Sequence, residues 1–278
     1  MTTDTRRATE TKERTYRANA IAAGVLFIVC SVATVLSAAP LGAPLSMPVD
    51  FAKLAANDNR VVLTALIELV WAGAGMGIAI ALYPVLKKFN PALALGSVVG
   101  RVVENLLLVV GTLSLVVLLT VSQQVVGSAA PSALQAIGNT LVAVREWVSG
   151  FVAMIPFVVG SFLYFYVLYS SRLIPRWLSG WGLVAILLSL VGNILAGFTQ
   201  QLGLATAFNL LSIPIGLQEM ALAVWLIAKG FNPSVVRSIA PAVSASGLAQ
   251  QSNRAPEEVP HESGSLHGLR ATRGSASS

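Results

Sequence analysis

The sequence predicts an all-α, polytopic transmembrane bundle of six helices with both termini in the cytoplasm. Hydrophobic residues make up 55% of the 278 positions and charged residues only 11%, whereas a soluble domain usually carries about 25% charged residues. The apolar residues gather into six long runs, each near the roughly 20 residues that a helix needs to cross a bilayer. Strands of a membrane barrel would span about 9–11 residues and alternate in polarity, which these runs do not.

The six runs divide the chain into a membrane domain and two tails. Residues 1–16 are expected to form a cytoplasmic N-terminal tail and residues 17–232 the transmembrane domain. Residues 233–278 are rich in Ser, Ala, Gly and Pro, and we expect a disordered cytoplasmic tail there because such a composition cannot bury a core. The predicted membrane helices cover residues 18–39, 61–83, 92–119, 147–169, 177–198 and 205–228.

The first predicted helix has features of a secretory signal peptide, with a basic start and Ser37, Ala38 and Ala39 at its end. The apolar core of a signal peptide usually spans about 7–15 residues, and this run is longer. We therefore expect the helix to be retained as a signal anchor, with cleavage as the alternative.

Two connections between the predicted helices have distinctive sequences. Pro40, Pro44 and Pro48 follow the first helix, where proline disfavours helical continuation. Residues 49–56 come next, and their spacing of apolar side chains predicts a short interfacial helix. The connection between the third and fourth helices, residues 123–144, is uncharged.

Lysine and arginine are unevenly distributed between the two ends of the predicted helices. Cytoplasmic flanks of membrane helices carry an excess of Lys and Arg, so the richer side is predicted to be cytoplasmic, in a cytoplasmic membrane crossed six times. The richer side has Arg6, Arg7, Lys12, Arg14, Arg17, Lys87, Lys88, Arg172, Arg176 and Lys229. The poorer side has Lys53, Arg60 and Arg145.

Charged residues inside the third predicted helix are the strongest functional signal. An ionised side chain near the middle of a membrane helix costs several kcal/mol or more, roughly 2.5–3.5 kcal/mol on insertion scales. Arg101 and Glu104 are three residues apart and Asn105 is four from Arg101, so all three share one helical face. The spacing predicts an ion pair between Arg101 and Glu104.

Further polar residues lie in other predicted membrane helices. With a rise of about 1.5 Å per residue, Arg101 and Glu219 each lie roughly 13 Å from the cytoplasmic helix end, so we expect Arg101 to bridge Glu104 and Glu219. Gln218 neighbours Glu219. Glu68 is nearer the outer side, and we expect it either to pair with Arg145 or to lie in water. The candidate polar network is Arg101, Glu104, Asn105, Glu219, Gln218 and Glu68.

Prolines and glycines predict how the helices bend and pack. Pro156 and Pro214 are expected to interrupt the fourth and sixth helices, since proline has no N–H to donate, and a kink at Pro214 would lie beside Glu219. The glycine pairs at positions 73 and 77 and at positions 96 and 100 have the GxxxG spacing that lets helices approach closely. We interpret both as packing within one chain, with a homodimer as the alternative.

Several classes of function are excluded by residue counts. The single cysteine, Cys30, excludes an intramolecular disulfide and a multi-cysteine metal site. Both histidines, His261 and His267, lie in the predicted tail, so we expect no metal or haem site within the membrane and no cofactor. There is no phosphate-binding loop motif. The basic residues flank membrane helices, so no nucleic-acid partner is expected, and we predict no enzymatic activity.

Five segments in order carry a family resemblance. They are residues 57–60 (NDNR), 82–90 (LYPVLKKFN), 101–104 (RVVE), 168–180 (LYSSRLIPRWLSG) and 218–230 (QEMALAVWLIAKG). In this order and spacing the chain resembles DUF4386, a family of bacterial multispan membrane proteins of unknown function, over residues 17–232. The resemblance implies six or seven membrane helices, with Arg-x-x-Glu in a middle helix and Glu in the last, and it implies no specific activity.

Two functions remain open from the sequence. In the first, the chain is a transporter or small-molecule-binding membrane protein that uses the Arg/Glu network as a polar site. In the second, it is a structural or interaction protein whose network only fixes the packing of the helices. The lipid bilayer is the partner common to both.

Overall fold

The computed structural model describes residues 3–38, 45, 47–125, 132–200 and 207–238, and within these ranges the chain contains helices and no strand. A π-helical turn over Glu146–Val152 connects α5 with α6, and a 3₁₀ segment over Ala207–Ser212 precedes α8. The helices are α1 (Thr3–Ala38), α2 (Phe51–Ala55), α3 (Asp58–Leu86), α4 (Pro91–Val125), α5 (Ser132–Arg145), α6 (Met154–Ser171), α7 (Arg176–Thr199), α8 (Ile213–Ala228) and α9 (Pro233–Ser238).

Six stretches of the described chain are long and apolar enough to cross a membrane, which confirms the predicted all-α class and the number of spans. The chain is therefore a multi-pass membrane protein. The spans are Glu13–Ser37, Asp58–Leu86, Pro91–Val125, Ser132–Ser171, Arg176–Thr199 and Leu210–Ala228.

The membrane helices form a closed ring in chain order. Each packs on the next, from α1 through α3, α4, α6 and α7 to α8, and α8 packs back on α1. Short or absent turns between successive helices favour such neighbours. The buried polar residues discussed below come from α3, α4, α6 and α8.

Glycines bring α4 and α6 into backbone contact. A Cβ on Gly100 would lie 2.7 Å from the Cα of Gly160, and one on Gly160 would lie 3.0 Å from the backbone nitrogen of Arg101. Gly96 meets Leu163 of the same neighbour. The predicted role of Gly96 and Gly100 in packing within one chain is thus confirmed. Gly77 likewise meets Leu26 of α1 at 3.0 Å.

The contact between α1 and α8 closes the ring. A Cβ on Gly24 of α1 would lie 2.8 Å from the carbonyl oxygen of Ala223 in α8. At the end of α8, Arg17 donates to the carbonyl oxygens of Leu226 at 3.2 Å and Ile227 at 2.7 Å. The last carbonyls of a helix have no partner within it, so the guanidinium satisfies them and favours the negative end of the helix dipole.

The prediction of a connection over residues 123–144 is wrong for most of that range. α4 extends to Val125, and α5 begins at Ser132 and continues through the π-helical turn into α6. Two amides of α5 bind the backbone just before α2: Gln135 donates to the Val49 carbonyl at 3.1 Å, and Asn139 accepts from the Val49 N–H at 3.1 Å.

The predicted effects of the two prolines differ. Pro156 follows the π-helical turn, in which Ala153 donates to Val148 five residues earlier at 2.9 Å, so the expected irregularity in the fourth span is present. The expected kink at Pro214 is absent from α8, because Pro214 lies in its first turn. Proline is favoured there since that N–H would have no partner within the helix.

The ends of the chain and the first connection complete the fold. α2 confirms the short helix predicted within residues 49–56; Asp50 caps it by accepting from the Lys53 N–H at 2.9 Å, and Leu54 is fully buried. α1 starts at Thr3, within the predicted N-terminal tail. The predicted disordered tail begins with α9, and its residues 239–278, with both histidines, lie outside the described residues.

Candidate functional site

Two clusters of buried polar side chains lie within the bundle. The Arg101 cluster comprises Arg101, Glu104 and Asn105 of α4, Tyr164 of α6 and Glu219 of α8. The Glu68 cluster comprises Glu68 of α3, Thr112 of α4 and Arg145 of α5.

The Arg101 cluster is organised around one guanidinium that is 2% exposed. Its Nη1 lies 2.9 Å from Glu104 Oε2, which confirms the predicted pair at i and i+3. Its Cζ lies 4.9 Å from the centre of the Phe157 ring of α6, a cation–π contact. Nε has no hydrogen-bond acceptor among the described residues, and Nη1 has the ion-pair contact with Glu104 as its one contact to a carboxylate there.

Asn105 supports this pair from the next turn of α4. Its Nδ2 donates to the Arg101 carbonyl at 2.7 Å and lies 3.4 Å from Glu104 Oε2. The residue is fully buried against α3, where a Cβ on Gly75 would lie 2.6 Å from Asn105 Oδ1. A glycine is therefore required at position 75 for the amide to fit.

Glu219 reaches the cluster through Tyr164. The Tyr164 hydroxyl donates to Glu219 Oε1 at 3.5 Å, the long end of hydrogen-bond distances. The predicted direct bridge from Arg101 to Glu219 is wrong, because no ion pair within 4.0 Å joins these two described residues. Glu219 is still near enough to Arg101 for an electrostatic interaction between the two side chains. The buried Cys30 thiol of α1 also lies near Arg101.

Gln218 lies elsewhere. Its side chain is fully buried and its Nε2 donates to the carbonyl of Leu178 in α7 at 3.1 Å. The amide therefore ties α8 to α7, and it shares no described hydrogen bond with the Arg101 cluster.

The Glu68 cluster is fully paired. Arg145 contacts Glu68 with both terminal nitrogens, from Nη1 to Oε2 at 3.1 Å and from Nη2 to Oε1. Arg145 Nη1 also donates to the Gly111 carbonyl at 3.0 Å, and Thr112 Oγ1 donates to Glu68 Oε2 at 2.7 Å. The alternative in which Glu68 pairs with Arg145 is thus confirmed, and the cluster joins α3, α4 and α5.

Tyr164 and Thr112 were not identified from the sequence. Both lie in apolar runs that hold other hydroxyl-bearing residues, and serine and threonine hydroxyls in helices commonly bond to their own helix backbone. Thr112 does this as well, donating to the Leu108 carbonyl at 3.1 Å. Tyr164 and Thr112 lie at the same depth in the bundle as Glu219 and Glu68 on neighbouring helices. A search for polar residues at matching depth would have identified them.

Three grooves on the described surface have volumes of about 660, 510 and 790 Å³, and none of these three is lined by Arg101, Glu104 or Glu219. The largest lies between α4 and α6 and is apolar, with Gly96, Gly100 and Pro156 along it. Within the described residues, no three His, Cys, Asp or Glu side chains group as metal ligands would.

Comparison with known proteins gives one family. The model of the family described as "Domain of unknown function (DUF4386)" matches residues 22–230, most of the chain and nearly all of its membrane spans. No curated protein and no solved structure matches the chain. The match contains every residue of both polar clusters, and the chain belongs to the DUF4386 family.

Proposed function

We propose that this multi-pass membrane protein is a transporter or small-molecule-binding protein whose polar site is the Arg101 cluster. The observation that supports this is the Arg101 guanidinium, which is buried and paired with Glu104 yet leaves its Nε N–H without an acceptor among the described residues. Each buried donor left unpaired costs about 1–3 kcal/mol, more for a charged group. A small molecule with acceptor oxygens would recover that free energy.

The position of the cluster also supports binding. Arg101, Glu104, Tyr164 and Glu219 come from three of the helices that surround the middle of the ring, so an occupant would contact several helices at once. Ionisable residues inside membrane bundles commonly mark substrate or ion pathways. The proposal assigns binding to this site and no catalytic step.

The alternative function is a structural one, in which the cluster only fixes helix packing. The Glu68 cluster has the properties expected of such a role, because both arginine nitrogens that face Glu68 are paired and Thr112 adds a third contact. The contrast between an arginine whose terminal nitrogens are both paired and one whose Nε N–H lacks an acceptor separates the two roles within one molecule.

We also propose that the protein lies in the cytoplasmic membrane of a bacterium with both termini in the cytoplasm. The distribution of Lys and Arg over the flanks of the six spans supports this orientation.

Ligand-dependent thermal stabilisation tests the binding function. Full-length protein in detergent would be screened with small polar metabolites, since a ligand at about 100 times its Kd adds about 2.7 kcal/mol of stability. We expect Glu104→Gln to keep the fold, because Glu219 still offsets the Arg101 charge, and to lose the ligand-induced shift in Tm.

Glu68→Gln is the matched control, since it changes a carboxylate of similar burial in the other cluster. We expect it to lower the basal Tm and to retain the ligand-induced shift. If no compound shifts the Tm of the natural protein, and Glu104→Gln lowers the basal Tm as far as Glu68→Gln does, the structural role is correct.

A further inference from the structure

A groove of about 660 Å³ lies where α6 turns into α7 and α8 ends. We call it the basic groove, defined by the rim residues Arg172, Arg176 and Lys229 and by the buried residues Leu173 and Phe231. It shares no residue with the Arg101 cluster.

The rim of the basic groove carries three cations from two segments of the chain. Arg172, Arg176 and Lys229 are exposed, and none of them forms an ion pair with a carboxylate in the part of the chain that the structure describes. Arg176 stacks over the Tyr169 ring at 5.4 Å, which limits the positions of its guanidinium. Three cations that converge without a counter-charge favour an anionic occupant.

The groove is held by backbone contacts between its two segments. The Asn232 N–H donates to the Leu173 carbonyl at 2.8 Å, and Asn232 Nδ2 lies 3.5 Å from the Arg172 carbonyl. Arg172 and Gly230 have positive φ values of 58° and 71°, so each segment turns sharply where it forms the rim. The backbone at the rim is therefore held by hydrogen bonds between the two segments, which fixes where the three cationic side chains begin.

The groove also lies at the ends of two apolar spans, where a lipid headgroup would meet the protein. One apolar span begins at Arg176 and another ends at Ala228, directly beside the rim. Beside the cations the floor of the groove is apolar and partly exposed, because Pro175, Trp225 and Pro233 line it. A cationic rim beside an apolar floor matches the phosphate and upper acyl chain of a phospholipid, and basic pockets between membrane helices bind such headgroups.

We propose that the basic groove binds the phosphate of an anionic phospholipid headgroup. A soluble phosphate would use the same cations, but it would leave the apolar floor without an occupant. The lipid therefore fits both surfaces of the groove.

Lipid titration of the purified full-length protein tests this proposal. Thermal unfolding in detergent would be followed against dioleoylphosphatidylglycerol, dioleoylphosphatidylcholine and, at matched ionic strength, sodium phosphate. We expect stabilisation by phosphatidylglycerol, with an apparent affinity that falls about fivefold for Lys229→Gln and about 25-fold for Arg172→Gln with Lys229→Gln.

The control is the double variant Lys53→Gln with Arg60→Gln, two exposed cations at the opposite end of the bundle. It should retain the affinity of the natural protein. Equal stabilisation by phosphatidylcholine, or unchanged affinity in both groove variants, would overturn the proposal. If sodium phosphate alone reproduces the whole effect, the groove is a site for soluble phosphate and the lipid assignment is wrong.

Discussion

The buried Arg101 and the partly buried Arg145 have opposite surroundings. Arg145 has a carboxylate on both terminal nitrogens and a backbone carbonyl as a further acceptor. Arg101 contacts one carboxylate and one aromatic ring, and its Nε N–H has no hydrogen-bond acceptor among the described residues. The terminal nitrogens of Arg145 are both hydrogen-bonded, whereas Arg101 keeps a donor without an acceptor. We therefore assign the two clusters different roles.

Removing the carboxylate from the Glu68 cluster should destabilise the protein. Glu68→Gln leaves the Arg145 charge uncompensated, and breaking a buried pair costs about 3–5 kcal/mol. Glu68→Leu combined with Arg145→Met should restore much of that loss, because it removes both charges. Reversible unfolding in mixed detergent measures the difference.

The exposed pair of Glu13 and Arg237, 2.9 Å apart, is the control for this experiment. Arg237→Ala should change the free energy of unfolding by no more than about 1 kcal/mol, as surface pairs do. A Glu68→Gln variant as stable as Arg237→Ala would mean that water reaches and solvates Arg145.

The sequence identified the charged members of both clusters but not their geometry. Arg101, Glu104 and Glu68 stand out because a charge in an apolar run is costly. The predicted bridge from Arg101 to Glu219 was wrong, because equal depth in the membrane does not show which way each helix is rotated about its axis. Tyr164 lies between those two charges, and nothing in its apolar run distinguishes it from a packing residue.

At the scale of elements, the length of each apolar run predicts the membrane helices well. It predicts their irregular parts less well. The long helix from Ser132 to Ser171 was predicted only from residue 147 onward, and its first half carries the amides of Gln135 and Asn139. Those amides satisfy the backbone at Val49, a partner 86 and 90 residues away. Such distant contacts leave no local pattern in the sequence.

The close crossing of α4 and α6 requires glycine at the point of contact, because a side chain there would push the two helices apart. Gly100→Ala would place a Cβ 2.7 Å from the Gly160 Cα, so the helices must separate, and overpacking of this kind costs about 1–3 kcal/mol. We expect a lower Tm and, because Arg101 follows Gly100, a weaker ligand response at the Arg101 cluster.

Gly73→Ala is the matched control for the glycine prediction. A Cβ at position 73 would have no described atom of a neighbouring residue within 4 Å, so the change should alter stability by less than about 1 kcal/mol. Equal losses for Gly73→Ala and Gly100→Ala would show that the close crossing does not limit stability.

At the scale of the whole molecule, the ring of helices has one predicted direction across the membrane. Lys53 and Lys88 lie at opposite ends of the bundle, and both are exposed. Cys30, the single native cysteine, is buried, so thiol labelling reports an introduced cysteine with little background.

Cysteine labelling therefore tests the orientation. With a membrane-impermeant thiol reagent, Lys53→Cys should react in intact cells, and Lys88→Cys should react only after the membrane is permeabilised. The reverse pattern would place both termini outside. Reaction of both variants in intact cells would indicate that the six-span topology is wrong.

The closure of the ring by α1 and α8 has a consequence for how the protein is made. α1 leaves the ribosome first, yet the surface around Gly24 and the guanidinium of Arg17 are covered only by α8, which is synthesised last of the six spans. During synthesis the first helix therefore keeps one face toward lipid while five further segments are inserted. A nascent chain that stops before Ile213 leaves that face open, and membrane quality control would recognise it as incomplete.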